Sequence, residues 1–137
     1  MVKIRSYRDT DYCFVASTLK EAGLFERTWD SRFNLKKKMR RNPGSIVVAE
    51  EKGEVVGSVY LIEDGWNGFV FRLAVKKAFR KKGIGSALLK EAEKRLRKKS
   101  AREVAIFADS KNKKLIEYYL RRGYKKFKTE ICLWKKL

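Results

Sequence analysis

Phe69-Val70-Phe71-Arg72-Leu73-Ala74-Val75-Lys76-Lys77-Ala78-Phe79-Arg80-Lys81-Lys82-Gly83-Ile84-Gly85-Ser86 is the stretch on which the fold turns. Its first seven residues are apolar except for Arg72, the pattern of a central strand buried on both faces. After Gly83 the period changes. Ile84, Leu88, Ala92 and Leu96 recur every four residues and Ala87 widens the stripe, which gives one apolar face of a helix. A short apolar run, Val104–Ala108, follows and completes a β-α-β unit. Between strand and helix, two glycines let consecutive backbone N–H groups turn inward, and the helix N-terminus adds its partial positive charge. Arg80, Lys81 and Lys82 add full charges, so the turn forms a cradle suited to a pyrophosphate. The dinucleotide fingerprint fails because its third glycine would fall at Leu88, and no P-loop spacing occurs. On these residues alone, an anion cradle and a plain tight strand-to-helix turn both stay open.

Outward from this unit, Val2–Ser6 alternates as a short strand. Asp9, Thr10 and Asp11 offer N-cap chemistry for a helix over Tyr12–Ala22, with Gly23 as its stop. Trp29/Phe33 and Leu35/Met39 stand at i, i+4 on a second helix, halted by Asn42-Pro43-Gly44. The β-branched runs Ser45–Glu51 and Val55–Ile62 flank Lys52-Gly53-Glu54 as a hairpin. Downstream, Asp109 or Ser110 can cap a helix bearing Leu115, Ile116, Tyr119 and Leu120, ended by Gly123. Tyr124–Phe127 and Ile131–Trp134 read as a closing hairpin. The order β-α-α-β-β-β-α-β-α-β-β predicts an α/β (α+β) fold, a mixed, mostly antiparallel central sheet with helices on both faces. No linker or repeat interrupts it, so residues 1–137 read as one domain.

Thirty-five Lys+Arg against 16 Asp+Glu give a net charge of +19, a field that draws anions. The basic clusters are spread along the chain, which favours a solvated surface over a dedicated groove. The aromatics do not interleave with them as a stacking platform for nucleic acid requires. The hydrophobic share of 44% is too high for a disordered basic tail. No apolar run spans a membrane and no secretory leader is visible, so a cytoplasmic protein is expected. With no His, a Ser-His-Asp triad and an imidazole metal site are both excluded. Cys13 and Cys132 lie too far apart for a knuckle or redox pair and read as small core side chains. The absence of Gln and a charged share of 37% resemble proteins of hot environments.

A second block adds to the first. Asn112 is followed seven residues later by Tyr119, nearly two helical turns on, so the two share a face; Leu120-Arg121-Arg122-Gly123-Tyr124 follows. Tyr118 points about 100° away. The strand, the Arg-x-x-Gly-x-Gly turn and this block together resemble the GNAT superfamily of acetyl-CoA-dependent N-acetyltransferases. The resemblance runs through the whole element order and is sharpest from Phe69 to Tyr124. It implies an acyl-CoA N-acyltransferase-like fold and acetyl-CoA as cosubstrate, with no metal. It further implies that Leu73, Ala74 and Val75 bond the pantetheine arm through their backbone. Arg80, Lys81, Lys82, Gly83, Ile84, Gly85 and Ser86 would hold the pyrophosphate, and Asn112 would contact the cofactor. Tyr119 matches the tyrosine that protonates the leaving thiolate.

The departure from that family is the general base. Many relatives place a glutamate on the strand that here reads Phe69-Val70-Phe71-Arg72, which has no carboxylate. Glu63 and Asp64, just before the turn, are the nearest acids in sequence, but such residues are more often exposed turn charges. The resemblance places the acceptor pocket near Phe25, Trp29 and Phe33; the alternative is that Trp29 and Phe33 form the buried face of the second helix. A surplus of +19 repels polycations, so an amine on an acidic or RNA-associated protein is the expected acceptor. A homodimer is compatible with the sequence. Two other functions compete: a basic nucleic-acid-binding module, expected to lack sequence specificity, and a catalytically silent acyl-CoA-binding relative.

Overall fold

A computed structural model describes residues 1–137. The chain divides into a larger unit, Met1–Ile106, and a smaller one, Phe107–Leu137. The larger unit runs β1 (Lys3–Ser6), α1 (Tyr12–Glu21), α2 (Arg32–Arg41), β2 (Ile46–Glu51), β3 (Glu54–Glu63), β4 (Asn67–Val75), α3 (Ile84–Lys98) and β5 (Glu103–Ile106). The strands lie in the order β1-β2-β3-β4-β5, antiparallel throughout except for the parallel β4–β5 pair. This is the mixed, mostly antiparallel sheet that the sequence predicts.

Helices cover both faces. On one, Val15 and Leu19 of α1 and Leu35 of α2 pack on Ile46, Val48, Val55, Tyr60 and Ala74. Gly57 pairs with Ala49, one residue from the Val48–Ser58 pair, and so points to the opposite face. There α3 lies close, because a Cβ on Gly57 would meet Leu88 at 3.0 Å and Ile84 at 3.4 Å. Gly68 admits Leu96 in the same way, at 3.0 Å. The β2–β3 loop is the two-residue turn Lys52-Gly53, with φ of 51° and 78°, the left-handed pair that matches strand twist.

Local chemistry shifts several boundaries. Asp9–Asp11 form a 3-10 turn, and Asp11 makes no side-chain cap on α1. Its carboxylate instead accepts from Arg5 at 2.8 Å and from the Arg8 N–H at 2.8 Å. The second helix begins at Arg32, after Trp29, because Ser31 caps it by accepting the Asn34 N–H at 3.2 Å. Cys13 is exposed, not core: α1 buries Val15, Ala16, Thr18 and Leu19, and position 13 falls on the far side of that stripe.

The smaller unit holds α4 (Lys113–Leu120), which stops at Arg121 ahead of Gly123, where φ is 91°. Its cap is Asn112, not Asp109 or Ser110. Asn112 Oδ1 accepts the Leu115 N–H at 3.1 Å, while Asp109 takes the Lys111 N–H at 2.9 Å. The expected closing hairpin does not form. Residues 124–137 carry no strand, and Phe127, Ile131, Cys132, Leu133 and Trp134 are exposed. Lys128-Thr129-Glu130 lacks the Gly or Asn that a tight hairpin turn needs, and two strands alone are marginal in water. No helix is long and apolar enough to cross a membrane.

Candidate functional site

The site in the larger unit grows from the second half of β4. The β4–β5 ladder ends at Val70↔Ile106, whereas the β3–β4 ladder continues to Gly57↔Val75. From Phe71 onward, β4 therefore has no paired strand on its β5 side. At that point the β3–β4 register slips, from Tyr60↔Phe71 to Ser58↔Ala74, so Arg72 and Leu73 together oppose Val59. Arg72 takes φ of 56°, a left-handed bulge that bends the strand. Hydrogen-bonding direction alternates along a strand. The Lys76 N–H donates to Val56 O at 2.9 Å, so Ala74 also faces β3, while Leu73 and Val75 aim their N–H and C=O groups into the splay. Ala74 itself is buried in the core.

A 3-10 turn, Lys77–Phe79, leads from β4 to the glycine loop. Lys81 (φ 63°) and Gly83 (φ 81°) are both left-handed, and Gly83 caps α3 with no side-chain hydrogen bond. This contrasts with α2 and α4, which Ser31 and Asn112 cap. The first turn of α3 has no intrahelical acceptors for its N–H groups. A Cβ on Gly83 would meet nothing within 4 Å, so the space before the helix end is open. Ile84 is buried and anchors the loop, Gly85 and Ser86 are half-buried, and Arg80, Lys81 and Lys82 are exposed around it. Arg80 Nε donates to Val75 O at 2.8 Å, tying the basic turn to the open strand edge. Lys76 is held by Glu54 at 2.8 Å. Leu73, Val75 and residues 80–86 thus follow one another along the end of β4 and the start of α3, linked by the Arg80–Val75 bond.

Sequence reading missed the group beneath the bulge. Asp30, 1% exposed, accepts from Arg72 Nε at 3.2 Å, from the Tyr60 hydroxyl at 3.2 Å and from the Glu26 N–H at 2.8 Å. Tyr60 is pushed far above the usual phenol range by burial, with Asp30 adding to it, and stays a donor. A lone charged residue in an apolar strand was the available signal for Arg72; nothing local marked Asp30 as its partner.

Trp29 and Phe33 are 55% and 67% exposed, so they are not the buried face of α2. Trp29 sits against the bulge, its ring 5.2 Å from the Arg72 guanidinium. Phe25 is half-buried on the core, with the Lys20 ammonium 4.8 Å above its ring. Glu63 and Asp64 are turn formers: Glu63 accepts the Gly65 N–H at 2.6 Å, and Asp64 accepts the Trp66 and Asn67 N–H groups at 3.0 and 2.7 Å.

In the smaller unit, Asn112 spends its side-chain oxygen on the α4 cap, and Tyr119 is buried. The Tyr119 ring packs edge-on against Tyr118 and Tyr124, with centroids 5.5 and 5.8 Å away. Burial, with Tyr118 beside it, pushes its phenol up to about 12.

The sequence model of the acetyltransferase (GNAT) family matches residues 7–124. The fold is similar to that of PaiA N-acetyltransferase from Thermoplasma acidophilum, solved in complex with coenzyme A. The TM-score is 0.83 at 23% identity, over 95% of this chain and 93% of that one. It is also similar to Ard1 from Thermoplasma volcanium, with a TM-score of 0.79 at 22% identity, over 89% of this chain and 81% of that one. Glucosamine-6-phosphate N-acetyltransferase from Arabidopsis thaliana aligns at a TM-score of 0.75 and 19% identity, over 99% of both chains.

Proposed function

The chain belongs to the acetyltransferase (GNAT) family, and from that membership we propose that it transfers an acetyl group from acetyl-CoA to a primary amine by direct attack on the thioester. The observation that carries the proposal is the open edge of β4 beyond Val70, running into the uncapped, glycine-lined end of α3. An extended donor with amides along one arm and a pyrophosphate at its end matches that edge in both chemistry and order. Leu73 and Val75 would pair with the arm as an added strand does. Arg80, Lys81, Lys82, Gly83, Ile84, Gly85 and Ser86 would hold the diphosphate with N–H groups, helix dipole and charge. A backbone N–H at the Val75 edge would polarise the thioester carbonyl. The amine nitrogen forms its bond to the acetyl carbon as the C–S bond breaks, with no covalent enzyme intermediate.

Tyr119, protonated at any physiological pH, would donate its proton to the departing thiolate, and Asn112 on the same helical face would steady the cofactor. The family match runs across both units, which supports one N-acetyltransferase domain over residues 1–137. Phe25, Trp29 and Phe33 would shape the acceptor side, on an acidic or RNA-associated partner drawn by the charge of +19. The test is thiol release from acetyl-CoA over a panel of amines, peptides and ribosomal proteins, with mass spectrometry of the products. An acetylated amine formed only with active protein is the expected result. Tight acetyl-CoA binding with no product from any amine would favour a sensor over an enzyme.

A further inference from the structure

Arg72 is held by one nitrogen only. Its Nε donates to both Asp30 oxygens at 3.2 Å, and no hydrogen bond within the chain engages Nη1 or Nη2. Neither is sealed from solvent, since the only buried side-chain polar atoms without a partner are Tyr7 Oη and Ser58 Oγ. The guanidinium is nonetheless fixed. Asp30 is itself gripped by the Tyr60 hydroxyl and the Glu26 N–H, and the Arg72 side chain is only 14% exposed. A clamped stem thus leaves its end-on fork of N–H groups open, the geometry that matches the two oxygens of a carboxylate. Trp29 lies against the same group, its ring centroid 5.2 Å from the guanidinium carbon, yet it is 55% exposed. Trp and Arg are the residue types most often found anchoring a partner. Arg72 also belongs to β4 itself: it is the second residue beyond the last β4–β5 rung at Val70, and the neighbour of Leu73. Successive Cα atoms lie ~3.8 Å apart and a guanidinium stands ~7 Å from its own Cα. The fork is therefore within roughly 12 Å of the Leu73–Val75 edge. A peptide's terminal amine and a carboxylate one or two residues further on span about that distance, at ~3.5 Å per residue plus the side chain.

We propose that Arg72 reads a carboxylate on the acceptor. The substrate class is then a peptide or protein amine followed, one or two residues on, by an acidic side chain, with Trp29 packing on the peptide between them. The inference rests on the acetyl transfer proposed above and names the acceptor which that reaction takes. Arg72 is a binding residue here, and no bond is made or broken on it. The net charge of +19 draws any acidic chain, whatever its register. The fork adds register: a bidentate contact fixes where the acid sits, and so where the amine arrives. Asp30 has a part in this, because by holding Nε it turns a flexible side chain into a preorganised receptor. A lysine in place of Arg72 would give its one ammonium to Asp30 and keep no fork.

The experiment measures kcat/KM at saturating acetyl-CoA for two amidated peptides that differ only in carrying Glu or Gln at the second position. A matched pair carries the change at the third, and calorimetry of acetyl-CoA runs on every protein used. Wild type should favour Glu over Gln by about tenfold in at least one pair, the worth of one charge-assisted contact. Most of that preference should survive in about 0.5 M salt, where the general field is screened within a few ångströms. Arg72→Lys keeps the charge and loses the fork, and should cut the ratio to about twofold. The ratio is taken within one protein, so a general loss of fold or of donor binding does not move it. Trp29→Ala should raise the KM of both peptides alike. Equal rates for Glu and Gln on a wild-type protein that acetylates both would overturn the inference and leave the transferase standing. A preference that disappears in salt, or persists undiminished in Arg72→Lys, would overturn it as well, since net charge or another residue would then be its source. The salt comparison uses wild type alone and decides the matter even if the variant does not fold. No acetylation of any peptide or amine while acetyl-CoA binds would overturn the proposed function and this inference with it.

Discussion

Asp30→Asn isolates what the buried carboxylate does for the bulge. The substitution keeps shape and removes one charge from a residue that accepts from Arg72, Tyr60 and the Glu26 N–H. An amide supplies one acceptor oxygen where the carboxylate offered two, and its NH2 group meets donors. The Arg72 side chain, only 14% exposed, is left without a counter-charge. Breaking a buried pair by removing one partner costs about 3–5 kcal/mol, and the residual exposure of the guanidinium brings this to about 2–4 kcal/mol. Asp30→Asn/Arg72→Met removes the orphan charge while keeping an unbranched chain beside Trp29, and should recover at least half of that loss. Urea unfolding followed by circular dichroism reads both variants, with the midpoint shifting at constant slope. Because Arg72 holds the left-handed bulge next to Leu73, the KM for acetyl-CoA should rise in the single variant. If Asp30→Asn lies within about 0.5 kcal/mol of wild type, or the double variant is no better than the single, the pair does not hold the bulge.

Arg80→Ala should weaken acetyl-CoA binding by about 1–3 kcal/mol in calorimetry, the range of a charge-assisted hydrogen bond, with the circular dichroism unchanged. Gly83→Val meets no clash but forces a branched residue to φ of 81°, so it should cost about 1–2 kcal/mol of stability and the cradle with it. Tyr119→Phe should lower turnover about 10- to 1,000-fold at nearly constant acetyl-CoA affinity, while Tyr118→Phe changes it little; equal rates for both would make Tyr119 a packing residue. Acid should destabilise the fold. The Arg32 guanidinium lowers Asp9 and that of Arg5 lowers Glu50, while Asn67 and Trp66 N–H groups lower Asp64. Burial alone would raise Asp11, yet the bonds from Arg5 and Arg8 hold it low. Carboxyls depressed in the folded state stabilise fully above their unfolded values near 4 and lose that contribution as pH falls through the folded ones. The thermal midpoint should therefore be flat from pH 7 to 5 and drop below pH 4; a midpoint rising toward pH 3 would contradict these pairings.

What the sequence made legible was set by local chemistry. The stripe Ile84, Leu88, Ala92, Leu96 and the turns at Gly23, Gly53 and Gly123 each state their own geometry, so α3 and most boundaries could be read directly. The mixed, mostly antiparallel character of the sheet followed from the hairpins and from the single β-α-β unit. The failures were of two kinds. Caps were misassigned at Asp11 and Asp109 because a carboxylate has several N–H groups within reach, and only the folded chain decides among them. The Asp30–Arg72 pair depends on residues far apart in sequence, which periodicity does not encode. The apolar run in β4 concealed a second fact. Phe69 and Phe71 are each 38% exposed, so the strand is not buried on both faces along its whole length. Its hydrophobicity is therefore not a measure of burial alone.

The shape of the proposed donor site follows from unequal strands. β4 has nine residues and β5 four, and they pair from the first residue of each, Asn67↔Glu103. The interior strand thus outruns its neighbour by the five residues Phe71–Val75. A bare edge of this kind invites pairing with another chain. Here the Arg72 bulge twists it and Arg80 engages the Val75 carbonyl, so a flat strand of another protein finds no straight template. A parallel β4–β5 pair also obliges a helical crossover that starts past the end of β4, whatever the sequence of the loop. The positive end of α3 is therefore delivered to the point where the open edge stops. With the glycine at the cap and the basic turn added, the edge and the helix end would suit the one elongated anion proposed above. The opposite flank carries Trp29 and Arg72, and the Asp30 carboxylate there is already held by Arg72 and Tyr60. On the proposed reaction, an acceptor amine there would lose its proton to something other than a strand glutamate: to water or to the acceptor's own surroundings.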